Sequence, residues 1–75
     1  MLETFRNIIC SYIDIEPDEI TEDSKLRSDI GLNSFDMVNV AVDLENEYGI
    51  KIDSKEFGGM KTVGELMKYI ESIKN

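Results

Sequence analysis

Three kinds of side chain in this sequence could do chemistry: a serine beside a helix start, a single cysteine, and groups of carboxylates. Ser34 follows Asn33 and precedes Phe35-Asp36, where an irregular stretch gives way to a helical pattern. A helix start carries free backbone N–H groups and a partial positive charge, so a phosphodiester on Ser34 would lie beside both. A serine in a first helical turn is also common with no chemistry attached. Histidine is absent, which excludes a Ser-His-Asp triad, a Cys-His pair and a histidine zinc site. Serine chemistry here therefore needs a base supplied by another protein. Cys10 is the only cysteine, so neither an internal disulfide nor a cysteine metal site can form. It reads as a small apolar residue on a helix. Asp14, Glu16 and Asp18 raise a calcium reading, but the stretch departs from the EF-hand pattern. It places Glu19-Ile20 near the expected turn glycine and Lys25 at the terminal ligand position. No base, metal cage or phosphate loop can be assembled, so an independent enzyme is the weakest reading.

The elements that position these residues follow from periodicity. Phe5, Ile8, Ile9, Tyr12 and Ile13 recur at helical spacing and predict a first helix over residues 2 to 13. Residues 14 to 33 follow no single period. Ile15, Ile20, Leu26, Ile30 and Leu32 are spaced through them as anchors, which argues for a long loop pinned to the core, with room for one helical turn. Asn33 is a good N-cap for a second helix, Asp36 puts negative charge in its first turn, and Gly49 ends it after Tyr48. Ile50 to Asp53 reads as extended. Ser54 is the expected cap of a short turn holding Glu56 and Phe57, closed by Gly58-Gly59. Thr62 and Glu65 have capping-box spacing, and Val63, Leu66, Met67, Ile70 and Ile73 stripe a last helix. The fold class is all-α: a small antiparallel four-helix bundle, three main helices plus one short one, with a long loop between the first two.

The second helix has two apolar stripes where a surface helix has one. At about 100° per residue, Met37, Val40, Ala41, Leu44 and Tyr48 share one side, and Phe35, Val38 and Val42 share the opposite one. The core can take only one of them. The other must meet the long loop, a partner, or a cargo inside the bundle. Asp36 and Asp43 lie along one edge of the second stripe, with Glu47 further round, and Glu45 lies on the other. Acids that steer encounter around apolar residues that hold suit a transient interface, although a solvated face carries the same charges.

Composition bounds the rest. A chain of 75 residues is one domain. A domain this size buries roughly 60% of its unfolded surface, too little for a deep water-excluded active site. Sixteen acids against eight bases give a net charge of -8, which favours solubility and a basic partner surface over nucleic acid or an anionic membrane. Neither a signal peptide nor an apolar stretch of spanning length is visible, so the expected compartment is the cytoplasm.

Asp29-Ile30-Gly31-Leu32-Asn33-Ser34-Phe35-Asp36 resembles the Asp-Leu-Gly-x-Asp-Ser-Leu-(Asp) attachment motif of acyl carrier proteins. The similarity runs over nearly the whole chain. It includes Ile20-Thr21 with Ser24 and Leu26, the segment Glu45 to Ile52, Met60-Lys61-Thr62-Val63, and Tyr69-Ile70. The resemblance implies a 4′-phosphopantetheine arm on Ser34, installed from coenzyme A by a phosphopantetheinyl transferase. The arm's thiol would hold acyl groups as thioesters for acyl-transferring and synthase enzymes with basic docking surfaces. By the same resemblance Phe35, Val38 and Val42 are apolar docking residues. Asp36, Glu45, Glu47 and Glu56 match acidic docking positions, and Ile52 is an apolar neighbour of the arm. The chain is expected to act as a monomer. Asn33 replaces the aspartate that usually precedes the serine, and Asn39 occupies the docking position that is acidic in the family. Both changes remove charge near the arm. Asn-Ser-Phe is also similar to carriers of dedicated polyketide, peptidyl or D-alanyl systems. The alternative is an unmodified acidic helical adaptor, which has no need of a serine at this position.

Overall fold

The computed structural model describes residues 1–74. Its helices are α1 (Leu2–Cys10), α2 (Ser34–Tyr48), α3 (Ser54–Gly58) and α4 (Val63–Ile73), with a single 3-10 turn at Pro17–Glu19 in the long loop. Among the described residues there is no strand, only one isolated bridge between Lys25 and Thr62. The helices close around one core, with overall extents of 30 × 22 × 20 Å.

Most helix limits follow local chemistry. Asn33 and Asp36 cap α2 reciprocally: the Asn33 side chain accepts the Asp36 N–H at 2.7 Å, and the Asp36 carboxylate accepts the Asn33 N–H at 3.3 Å. Gly49 ends α2 at φ 64°, a left-handed geometry that costs glycine little. Thr62 accepts the Glu65 N–H at 3.1 Å, as a cap should. Two limits differ from the sequence expectation. Regular α1 stops at Cys10 instead of running to Ile13, because the Ser11 and Tyr12 N–H groups bond to the Ile8 and Ile9 carbonyls and tighten the last turn. The cap of α3 is Asp53, not Ser54. The Asp53 carboxylate accepts two N–H groups, from Lys55 at 2.8 Å and Glu56 at 3.2 Å, and Ser54 becomes the first helical residue.

The long loop is part of the core. Ile20, Leu26, Ile30 and Leu32 are all buried, beside Phe5 and Ile9 from α1, Met37, Val40 and Leu44 from α2, Phe57 from α3, and Val63, Leu66 and Ile70 from α4. Full burial of one such side chain is worth about 1.5–3 kcal/mol over exposure. Backbone bonds fix the path as well. The Leu26 N–H donates to the Lys61 carbonyl at 2.8 Å. Val63 and Gly64, whose N–H groups would be orphaned in the first turn of α4, donate to the Ser24 and Glu22 carbonyls at 3.0 and 2.8 Å. The Arg6 guanidinium donates to the Ile20 carbonyl at 3.0 Å and ties the loop to α1. Gly64 allows the close approach, since a Cβ there would sit 3.0 Å from the Glu22 carbonyl oxygen.

Candidate functional site

The last turn of the loop delivers the chain to Ser34. The Lys25 carbonyl accepts the Asp29 and Ile30 N–H groups at 3.0 Å each, while the Asp29 carboxylate accepts the Lys25 N–H at 2.8 Å. Gly31 then reverses the chain at φ 93°, and Leu32 buries itself and donates its N–H to the Leu26 carbonyl. Two residues later Ser34 begins α2 with its side chain exposed. Its hydroxyl accepts a long hydrogen bond of 3.4 Å from Arg27 Nη1. Among the described residues no carboxylate contacts it, so the hydroxyl has no internal base.

Beside Ser34 lies a cleft of about 330 Å³ between α2 and α3. Met37, Val38, Ala41 and Val42 line it from α2, and Phe57 and Gly58 from α3. Arg27, Glu45, Ile52 and Ser54 complete the wall. The surface is mainly apolar, and Ser34 stands at its edge. Glu45 builds part of this cleft. Its carboxylate accepts the Ile52 N–H at 2.7 Å, which pins the segment after α2 and seats Ile52, half-buried, in the wall.

Phe35, Val38 and Val42 are 74%, 62% and 46% exposed, so the second apolar stripe is not covered by the long loop. The opposite stripe supplies Met37, Val40 and Leu44 to the core, with Ala41 and Tyr48 packed against it. The acids differ in their freedom. Glu47 and Glu56 are exposed. Asp36 is half-buried and engaged in the α2 cap, and Glu45 holds Ile52. Asn39 is half-buried on α2. Asp43 accepts a short hydrogen bond from the Tyr12 hydroxyl. That bond, then desolvation and the Asp43 charge, raise the phenol above its ordinary value of 10.0. Tyr12 is thus exposed and tied to α2, not part of the buried face of α1.

The structure brings Ser34, Val38, Val42, Glu45 and Ile52 to one cleft. Phe35 faces outward, Glu56 is exposed on α3, and neither lines the cleft. Sequence reasoning passed over Arg27. Its only linear signal is a base in a loop without period, and its approach to Ser34 depends on the fold of residues 25 to 33.

The family model described as "Phosphopantetheine attachment site" matches residues 3–70. Over 66 residues the chain is 35% identical to the acyl carrier protein of Thermotoga maritima, covering 88% of this chain and 82% of that protein. It is 37% identical over 59 residues to the acyl carrier protein of Rhodococcus erythropolis, covering 79% and 65%. It is 38% identical over 66 residues to the meromycolate extension acyl carrier protein of Mycobacterium tuberculosis, covering 88% of this chain and 57% of that protein. Matched over most of its length by both the family model and these relatives, the chain belongs to the acyl carrier protein family, non-catalytic carriers whose covalent group is phosphopantetheine.

Proposed function

We propose that Ser34 is the attachment point of the phosphopantetheine arm and that the chain carries acyl groups as thioesters for fatty acid or related biosynthesis. One observation carries this reading: an exposed serine hydroxyl, without an internal base, stands at the start of α2 and at the edge of an apolar cleft of about 330 Å³. The residues present fit the group. The open hydroxyl leaves room for a phosphate, Arg27 offers a cation at 3.4 Å, and the cleft offers an apolar wall to an arm or its cargo. When bound, the arm supplies a thiol that forms and yields thioesters.

The chain's own residues prepare that attachment. Asn33 and Asp36 fix the first turn of α2 and so hold Ser34 at a rigid end. Ser34 Oγ forms a bond to the pantetheine-bearing phosphorus of coenzyme A as the pyrophosphate P–O bond breaks. The 3′,5′-ADP leaves with that electron pair, and the serine proton passes to a base on the phosphopantetheinyl transferase. Ile52, held by Glu45, keeps the cleft wall in place. Phe35, Val38 and Val42 form the apolar docking strip for the transferase and for acyl-transferring and synthase enzymes. Exposed Glu47 and Glu56, with the remaining charge of Asp36, steer basic partner surfaces toward it. A strip this small gives an interface weak enough to release, as a carrier visiting several enzymes requires. All these residues come from one copy of the chain, so a monomer suffices.

The test is intact mass after treatment with a phosphopantetheinyl transferase and coenzyme A. The expected result is a mass gain equal to the arm, abolished by Ser34→Ala. A wild-type chain that stays unmodified, or a Ser34→Ala chain that still gains the mass, overturns the assignment.

A further inference from the structure

The cations of this acidic chain are unevenly placed. Three of its eight bases, Lys25, Arg27 and Lys61, line one hollow of about 360 Å³ beside Gly58 and Gly59. Among the described residues none of the three forms an ion pair with a carboxylate, although the chain has sixteen acids. Arg27 also lines the apolar cleft, so it stands between hollow and cleft, and its Nη1 lies 3.4 Å from Ser34 Oγ. Asp36, in the same helical turn as Ser34, is the nearby negative charge on α2.

We propose that Arg27 is the pairing cation for the phosphodiester on Ser34 and a positioning residue for the root of the arm. The proposal rests on the reading of Ser34 as the attachment point. A phosphodiester on that oxygen carries a negative charge and two free oxygens. A guanidinium already bonded to the oxygen that becomes the ester is within reach of them, and its planar fork matches two acceptors at once. Lys25 and Lys61, which line the hollow with Arg27, add positive potential there, while Asp36 in the first turn of α2 repels. The phosphate therefore leans toward Arg27, and the arm starts over the cleft, along Val38 and Val42, instead of outward past Phe35. Arg27 is exposed, so the pairing is screened by salt and biases the arm without locking it.

The experiment uses the full chain loaded by the transferase, as wild type, Arg27→Ala, Arg27→Lys and, as a control, Lys68→Ala, an exposed base on α4. Intact mass comes first. Absence of the arm from wild type overturns the attachment reading and this proposal together. On loaded chains, the phosphorus NMR signal of the diester is followed from low to high salt. Wild type and Lys68→Ala are expected to show the same salt-dependent shift. Arg27→Ala should lose most of it and resonate at low salt near the wild-type high-salt position. Arg27→Lys should fall between, keeping charge but not the fork. Circular dichroism confirms that each variant is folded. Loaded, folded Arg27→Ala with the wild-type signal and salt response overturns the pairing alone.

Discussion

Glu45 and Glu47 are two residues apart in the last turn of α2, yet the structure gives them opposite energetic signs. Both carboxylates sit at the negative end of a helix dipole in a chain of net charge -8. Removing either charge relieves roughly 0.3–1 kcal/mol of repulsion. Glu47 is exposed and has no internal hydrogen bond among the described residues. Glu47→Ala is therefore expected to be neutral or to stabilise slightly, since alanine is also the better helix former. Glu45 accepts the Ile52 N–H at 2.7 Å from a half-buried position. A hydrogen bond to a charged group contributes about 1.5–3 kcal/mol, and its loss leaves a backbone donor unpaired near the cleft. Setting that loss against the dipole relief, Glu45→Ala should destabilise by about 1–2 kcal/mol. For a domain of this size each kcal/mol moves Tm by about 4–8 °C. Thermal unfolding by circular dichroism at neutral pH should then show a fall of roughly 4–16 °C for Glu45→Ala and no fall for Glu47→Ala. Glu45→Gln, which keeps an acceptor and drops the charge, should lie close to wild type. If Glu45→Ala and Glu47→Ala raise Tm together, the carboxylate of Glu45 is merely one more repelling charge and its role in holding Ile52 is refuted.

Other outcomes follow from single contacts. Among the described residues the Tyr48 hydroxyl is buried without a hydrogen-bond partner, so Tyr48→Phe should be neutral or stabilise by about 1 kcal/mol in urea unfolding, and a clear loss would reveal a partner for that hydroxyl. Gly64→Val forces a side chain against the Glu22 carbonyl at 3.0 Å and should cost about 1–3 kcal/mol, whereas an unchanged urea midpoint would show that the loop gives way freely. The raised phenol of Tyr12 contributes stability that is complete below its unfolded value of 10.0 and is lost as pH rises through its folded value. Thermal unfolding across the alkaline range should therefore show an extra loss in wild type that Tyr12→Phe lacks.

Much of this architecture is legible in the sequence because it is written locally. Asn33 with Asp36, Gly49 after Tyr48, and Thr62 before Val63 each use side chains within a few residues of the helix end they define. The two stripes of α2 are equally local, and burial of Met37, Val40 and Leu44 with exposure of Phe35, Val38 and Val42 follows from their angular separation. Adjacent capping residues are harder: Asp53 and Ser54 both suit an N-cap, and only the path of the chain lets Asp53 take two N–H groups. The end of α1 is set by a tightened turn that leads Tyr12 to Asp43, a contact across 31 residues. The long loop shows its anchors in the sequence but not its route, which depends on carbonyls meeting the N–H groups of Leu26, Val63 and Gly64 from distant stretches. Arg27 is hidden for the same reason. Glu45 reads as a solvent-facing acid from helix angle alone, because the amide it receives lies beyond the helix end.

The stitching of the loop to residues 61–64 also bears on the order of events as the chain is made. Ser34 and all of α2 are synthesised before Thr62, Val63 and Gly64 exist to receive the loop. Until they do, Leu26 has no Lys61 carbonyl to bond, and the turn that seats Leu32 and presents the serine lacks its far support. An enzyme that recognises the finished shape around Ser34 meets it only after synthesis has passed α4. Under the attachment proposed at Ser34, docking of the last helix against the loop would then precede covalent loading.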